Sequence, residues 1–222
     1  STALLRRVSE VRILSGTPKM LGTLACPNYL YFMCGQYMGN GLYCLLFIAR
    51  KRIFMTETIN NFSEDDYFFM NEALAEARLA RYIEEVPVGC VIVYQDKIIG
   101  RGHNFTYKGK SALKHAEMIA IDQASDFMDD FRLEECTMYV TMEPCSMCAG
   151  AIINSRIDRL VIGLADYKRG ACGSYTNITG DRGQLHYIDA EFSLLEDEAR
   201  YELQTFFKML RKRSKERKKT RD

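Results

Sequence analysis

Regular cysteine spacing and internal repeats are both missing from this 222-residue chain, and each absence narrows its class. Eight cysteines fall at no repeating interval, which argues against a disulfide scaffold, and a chain of this length has no need of one. A reducing compartment suits them better. With no recurring period, solenoids and propellers are excluded. Charge is missing from residues 29–49, a run of 21 that would just span a bilayer. Gly35, Gln36, Gly39, Asn40 and Gly41 interrupt that run, and it shows no helical stripe. No short charged start leads into a clean apolar run, so it does not read as a signal peptide, and no membrane partner is expected.

What is present describes a globular protein, 47% hydrophobic and 27% charged. The net charge of +1 conceals an asymmetry: residues 1–54 carry +6, residues 208–222 carry +7, and the remainder is therefore 1 − 6 − 7 = −12. An acidic body with a basic C-terminus suits a polyanion addressed locally.

The stretch 115–148 organises the rest. It opens with His115-Ala116-Glu117 and closes with Pro144-Cys145-Ser146-Met147-Cys148, with 26 residues between Glu117 and Pro144. Cys145 and Cys148 are three apart, a spacing that puts both sulfurs on one helix face. Pro144 suits the first turn of that helix, where a missing N–H costs nothing, and the positive helix end favours thiolate. Two thiolates and a neutral imidazole from His115 suit zinc and leave its fourth tetrahedral position open, as catalytic sites do. Glu117 is then the natural proton shuttle for a water there. His115 and Glu117, two apart, can flank one ion only from the first turn of a helix, so a helix is expected to begin at His115. A lone C-x-x-C is also compatible with a redox pair or a closed structural site. Cys136 or Cys172 would supply the fourth ligand of the latter. The full constellation, in order and at this separation, favours the open site.

Residues 65–84 read as a helix that Ser63 can cap and Pro87 ends. Residues 88–94 and 97–103 read as a hairpin turning at Gln95-Asp96. Residues 107–113 are a loop, 115–127 a helix, 137–142 a strand, 147–154 the continuation of the cysteine helix and 157–164 a buried strand. Residues 166–174 form a glycine-containing loop, 185–192 a short strand and 195–213 an amphipathic helix. This order implies an α/β sheet covered by helices on both faces. The second and third helices must lie side by side on one face, with their N-termini together.

The pattern H-x-E followed by P-C-x-x-C resembles the signature of zinc nucleobase deaminases. From about Asp65 to Arg213 the chain resembles the bacterial tRNA-specific adenosine deaminases, which convert adenosine 34 at the wobble position to inosine. The likeness extends to Glu85-Val86-Pro87-Val88-Gly89, Gly100-Arg101-Gly102-His103-Asn104, Val140-Thr141, Ala149-Gly150-Ala151-Ile152, Arg156-Ile157, Gly170-Ala171-Cys172-Gly173-Ser174 and Phe206-Phe207. The resemblance implies a three-layer α/β/α cytidine-deaminase-like fold with a central mixed sheet. It also implies a hydrolase acting on cyclic amidines, one Zn2+ per subunit, a homodimer and a cytoplasmic setting. It makes His115, Cys145 and Cys148 the ligands and Glu117 the shuttle. Asn104 becomes the residue that hydrogen-bonds the purine, and Asp166 and Lys168 the contacts to nucleotides beside the target. Phe206 and Phe207 are placed near the anticodon loop. The partner implied is the anticodon stem-loop of tRNA-Arg, with phosphates held by the basic run from Lys208. His186 fits a late family position and carries no catalytic role.

Residues 1–54 depart from the family and are expected to be an extension outside the domain, with Met55 as a candidate native start. Residues 55–213 are then the deaminase domain and 214–222 a basic tail. Two other functions suit parts of the pattern. One is a guanine, cytosine or nucleoside deaminase acting on free small molecules. The other is a non-catalytic zinc-bearing RNA-binding subunit, which would have no use for Glu117.

Overall fold

A computed structural model describes residues 62–219. The readings made for residues 1–54 and for the last three residues lie outside the described residues.

Helix α1, Glu64–Tyr82, opens with a capping box. The Ser63 hydroxyl accepts from the Asp66 N–H at 3.1 Å, and the Asp66 carboxylate accepts from the Ser63 N–H at 2.8 Å. Glu64, Asp65 and Asp66 sit at the positive end of the helix dipole. The helix stops two residues short of the expected end. Glu84 turns left-handed at φ 63°, which closes the helix before Pro87 has any influence.

Strands β1 (Gly89–Tyr94) and β2 (Lys97–His103) form the expected hairpin. Gln95 and Asp96 both have positive φ, the twist that a two-residue hairpin turn requires. Then follow α2 (Ala116–Met128), β3 (Thr137–Met142), α3 (Ser146–Asn154), β4 (Arg159–Leu164), β5 (Glu191–Phe192) and α4 (Glu196–Lys219). The sheet order is β2-β1-β3-β4-β5, antiparallel around β1 and parallel from β3 to β5, hence mixed as expected. Of the strand expected over 185–192 only Glu191–Phe192 pairs. Leu185 is fully exposed, with no buried surface to hold it in a sheet. The last helix runs to Lys219 because nothing after Arg213 breaks it, and Arg217, Lys218 and Lys219 suit its negative end.

Alternation along the strands builds the layers. Cys90, Ile92, Met138, Val140, Leu160 and Ile162 face α2 and α3, where Ala116, Ala120, Ala149 and Ile152 complete one core. Val91, Val93, Tyr139 and Val161 face the other way, against Phe69, Met70 and Ala73 of α1. Ala199 and Leu203 bring α4 against Leu74 of α1. The result is α/β/α, with both helices that carry the motif on one face. Gly102 sets how closely α2 approaches β2: a Cβ there would lie 2.0 Å from the Ala116 carbonyl oxygen. That close approach is made at the first turn of α2, so it sets the position of His115 and Glu117.

On the opposite face Asp66 is buried beside Arg159, which reaches it at 2.5 Å, and the Tyr139 hydroxyl donates to it at 2.6 Å. Burial alone would raise this carboxyl. The bonds from Arg159 and Tyr139 outweigh it and hold Asp66 well below the usual carboxylate range. The unfolded chain therefore takes up this proton first, near the ordinary value of about 3.9, and stability falls as pH drops below it. Asp66→Asn is expected to cost about 3 kcal/mol at neutral pH and to flatten the loss of stability below about pH 4. Urea unfolding of both proteins across that range measures it.

Candidate metal centre and active site

Strands β2, β3 and β4 point the same way, because β1 is antiparallel to both of its neighbours. Their carboxyl ends lie together and release three segments, residues 104–115, 143–145 and 165–174. A cleft of about 480 Å3 lies there, lined by His115, Glu117, Cys145, Asn104, Asp166 and Arg169, among others. The volume is within the range of small-ligand sites.

His115 is the N-cap of α2, one residue before the helix proper, and Glu117 sits in the first turn, 3% exposed. Cys145 is the N-cap of α3, with Cys148 in its first turn. Pro144 therefore stands just outside the helix rather than in its first turn, a correction with a structural reason. Its carbonyl accepts from the Ala171 N–H at 2.9 Å, tying the 165–174 loop to the site.

The two sulfurs are 3.7 Å apart, and His115 Nδ1 lies 3.7 Å from Cys145 Sγ and 3.5 Å from Cys148 Sγ. A tetrahedron with metal–sulfur bonds of about 2.3 Å and a metal–nitrogen bond of about 2.0 Å has edges of about 3.8 Å and 3.5 Å. The three donors are thus spaced as corners of a zinc tetrahedron. Among the described residues no fourth donor joins them. Cys172 is buried with its sulfur toward the Pro144 carbonyl, and Cys136 is buried in the core below. The site is open, and neither cysteine closes it.

Protonation follows from these contacts. Cys145, hydrogen-bonded by Cys148 and then by His115, is held down to about 3. Cys148 is pushed up, first by sharing its proton with Cys145 and then by burial. Burial also raises the Glu117 carboxyl, as suits a group that must both take up and release a proton.

The other predicted residues divide. Asn104 lines the cleft, 9% exposed, and its Oδ1 accepts the Ala116 N–H at 3.0 Å, fixing the start of α2. Asp166 also lines the cleft, with Oδ1 accepting from the Lys168 and Arg169 N–H groups. Lys168 is exposed and is not part of the lining. Phe206 is 2% exposed: the amphipathic stripe of α4 turns it inward, so it presents no surface to a ligand. Phe207 is exposed, meets Phe206 edge-on at 5.5 Å, and lies outside the cleft lining. His186 Nε2 donates to the Ile157 carbonyl, 2.7 Å away, a structural contact.

Two carboxylates were not singled out by the sequence pattern. Glu143 is 4% exposed and accepts from the N–H groups of Asp166 (2.8 Å), Cys172 (3.0 Å) and Ser174 (3.1 Å), and from the Ser174 hydroxyl. It clamps the whole 166–174 loop. Glu85, fully buried, accepts from the Lys108 N–H at 2.6 Å and the Thr106 hydroxyl at 3.1 Å, and so clamps the 104–115 segment. The available signal was a carboxylate beside apolar residues and a proline in each case, Glu85-Val86-Pro87 and Met142-Glu143-Pro144.

Mixed sheet, paired helix N-termini and an open His-Cys-Cys corner over a buried glutamate together define a zinc-dependent deaminase. Residues 63–164 match the family described as the cytidine and deoxycytidylate deaminase zinc-binding region. Within it, the chain belongs to the tRNA-specific adenosine deaminases. It is 40% identical over 150 residues to the tRNA-specific adenosine deaminase of Bacillus subtilis, covering 68% of this chain and 93% of that protein. It is 41% identical over 154 residues to the Haemophilus influenzae enzyme of the same name, covering 69% and 89%. A solved structure from studies of A-to-I editing by tRNA:A34 deaminases superposes with a TM-score of 0.59 at 38% identity, covering 61% of this chain and 99% of that one.

Proposed function

We propose that this chain hydrolyses adenosine 34 at the wobble position of the tRNA anticodon to inosine, releasing ammonia. The observation that carries the reading is the open three-donor corner beside buried Glu117, in a chain 40% identical along its catalytic domain to tRNA-specific adenosine deaminases.

A zinc ion held by His115, Cys145 and Cys148 would supply Lewis acidity that makes water a nucleophile at neutral pH. Glu117 takes one proton from the attacking water and delivers it to the purine N1. It passes the second to the exocyclic amine, so that the C6–O bond forms, the C6–N6 bond breaks and ammonia leaves. With its Oδ1 committed to the Ala116 N–H, Asn104 offers its amide nitrogen as donor to an acceptor on the purine edge. Burial of Glu117 keeps bulk water from competing for these protons.

The remaining assignments are proposals of the same reading. The substrate is the anticodon stem-loop, tRNA-Arg first, whose splayed loop bases need little energy to enter a pocket. Lys208 and the cations that follow on α4 are exposed and suit phosphates. The enzyme acts in the cytoplasm as a homodimer with one zinc per subunit, as the family resemblance implies. Among the described residues no helix is long and apolar enough to cross a membrane.

Incubation of the purified protein with tRNA-Arg, followed by sequencing of position 34, tests this directly. Inosine at that position is the expected result. Turnover of free guanine, cytosine or cytidine with none on the RNA overturns it.

A further inference from the structure

No cation faces Glu143. Its side chain is buried, and among the described residues no Lys, Arg or His lies within ion-pair distance of it. Neutral donors stand where a cation would, two to each oxygen: Oε1 accepts from the Cys172 and Ser174 N–H groups, and Oε2 from the Asp166 N–H and the Ser174 hydroxyl. All of them belong to the loop after β4. Gly170 lies inside that loop, and a Cβ on it would overlap Glu143 Oε2 and come within 2.6 Å of the Asp166 carbonyl oxygen. The loop wraps the carboxylate so closely that only glycine fits there.

The same loop is bonded to the residues that deliver Cys145. The Ala171 N–H donates to the Pro144 carbonyl at 2.9 Å, and Cys145 pairs with Gly170 as an isolated antiparallel bridge. On the other side of the carboxylate, the Glu143 N–H donates to the Leu164 carbonyl at 2.8 Å and carries the pairing of β3 with β4 up to the site. Cys145 is an N-cap whose side chain makes no capping bond to its own helix. Backbone alone aims its sulfur, from α3 on one side and from the loop on the other. A loop released from Glu143 would leave Pro144 and Cys145 without these partners.

We propose that Glu143 is a positioning residue for the metal centre: by holding the 166–174 loop against Pro144 and Cys145, it makes order in the loop and retention of the ion one property. Glu143 acts through Cys145 rather than on the ion. Coupling of this kind is reciprocal, so the ion that fixes Cys145 steadies the loop by the factor with which the loop steadies the ion. The inference rests on the zinc reading of the corner and does not depend on which nucleobase reacts.

Glu143→Gln isolates the effect. The amide is nearly isosteric, and either way round it sets its NH2 group against two donors. The zinc-loaded full-length variant is expected to release zinc to excess EDTA about tenfold faster than the wild type, the size of effect found when a group that orients a metal ligand is removed. Ser174→Ala removes a single donor and serves if the glutamine variant folds poorly. It is expected to speed release in the same direction by a smaller factor. Hydrogen exchange over residues 165–174 reads the other half of the coupling. Stripping zinc from the wild type is expected to speed exchange there about tenfold, by reciprocity. In Glu143→Gln exchange is expected to be fast with or without the ion. A carboxylate that only stabilises the fold would lower the melting temperature and leave zinc release, and the zinc dependence of exchange, as in the wild type. That result overturns the proposal while the metal centre stands. A wild-type chain that takes up no zinc overturns the metal centre itself, and the coupling with it.

Discussion

Glu117→Gln is expected to keep its zinc and to lose about 10³-fold in kcat, the size of effect seen when a positioned acid–base group is removed. That corresponds to about 4 kcal/mol of transition-state stabilisation. The replacement is nearly isosteric, so the first turn of α2 and the hydrogen bond from Ala116 to Asn104 remain. The amide can hold no transferable proton, so neither the purine N1 nor the leaving amine is served. KM should change little, because removing a group that acts only in the transition state lowers kcat and kcat/KM together. Metal content by elemental analysis and inosine formation on the stem-loop are the two readouts. Full activity with full zinc would remove Glu117 from the chemistry. Loss of zinc together with activity would make it a structural group instead.

The second large effect separates three cysteines that look alike in the sequence. Cys145→Ala is expected to lose zinc and all measurable turnover, since two donors at the corner hold the ion far less well than three. Cys172→Ser is expected to retain both the metal and activity to within a few-fold. Its sulfur points to the Pro144 carbonyl, and a hydroxyl can make the same hydrogen bond. Cys136→Ala is expected to keep zinc and to lose stability by about 1–2 kcal/mol, as removal of a small buried apolar group does. Zinc content and thermal unfolding of the three proteins read this out. Loss of zinc from Cys172→Ser would mean a closed four-donor site and would end the hydrolytic reading, because no position would remain for water.

Much of the site was legible because its defining residues are close in sequence. His115 with Glu117, and Cys145 with Cys148, are two and three residues apart. Local geometry restricts such pairs to a helix start, where the structure has them. Placing Cys145 at the N-cap rather than inside the helix is a one-residue shift that sequence pattern alone does not resolve. The sheet alternation was also local, and β3 falls at the expected residues because Met138, Tyr139 and Val140 are apolar on both faces.

Long-range pairing decided the rest. The Glu143 clamp joins residues 23 to 31 apart, and the Glu85 clamp residues 21 to 23 apart. No periodicity in a chain encodes such distances. Phe206 and Phe207 are adjacent and chemically identical, yet one is buried and the other exposed. Phe206 shares the buried stripe of α4 with Ala199 and Leu203, and Phe207 falls off it.

Residue types and short spacings, then, determined by themselves which atoms can hold a zinc ion and which carboxylate can move protons beside it. Only the tertiary structure decided that the corner stays open and that two buried carboxylates hold the loops around it. The physical reason is that the carboxyl ends of β2, β3 and β4 become neighbours through strand order. Strand order follows from packing summed over the whole core rather than from any one segment.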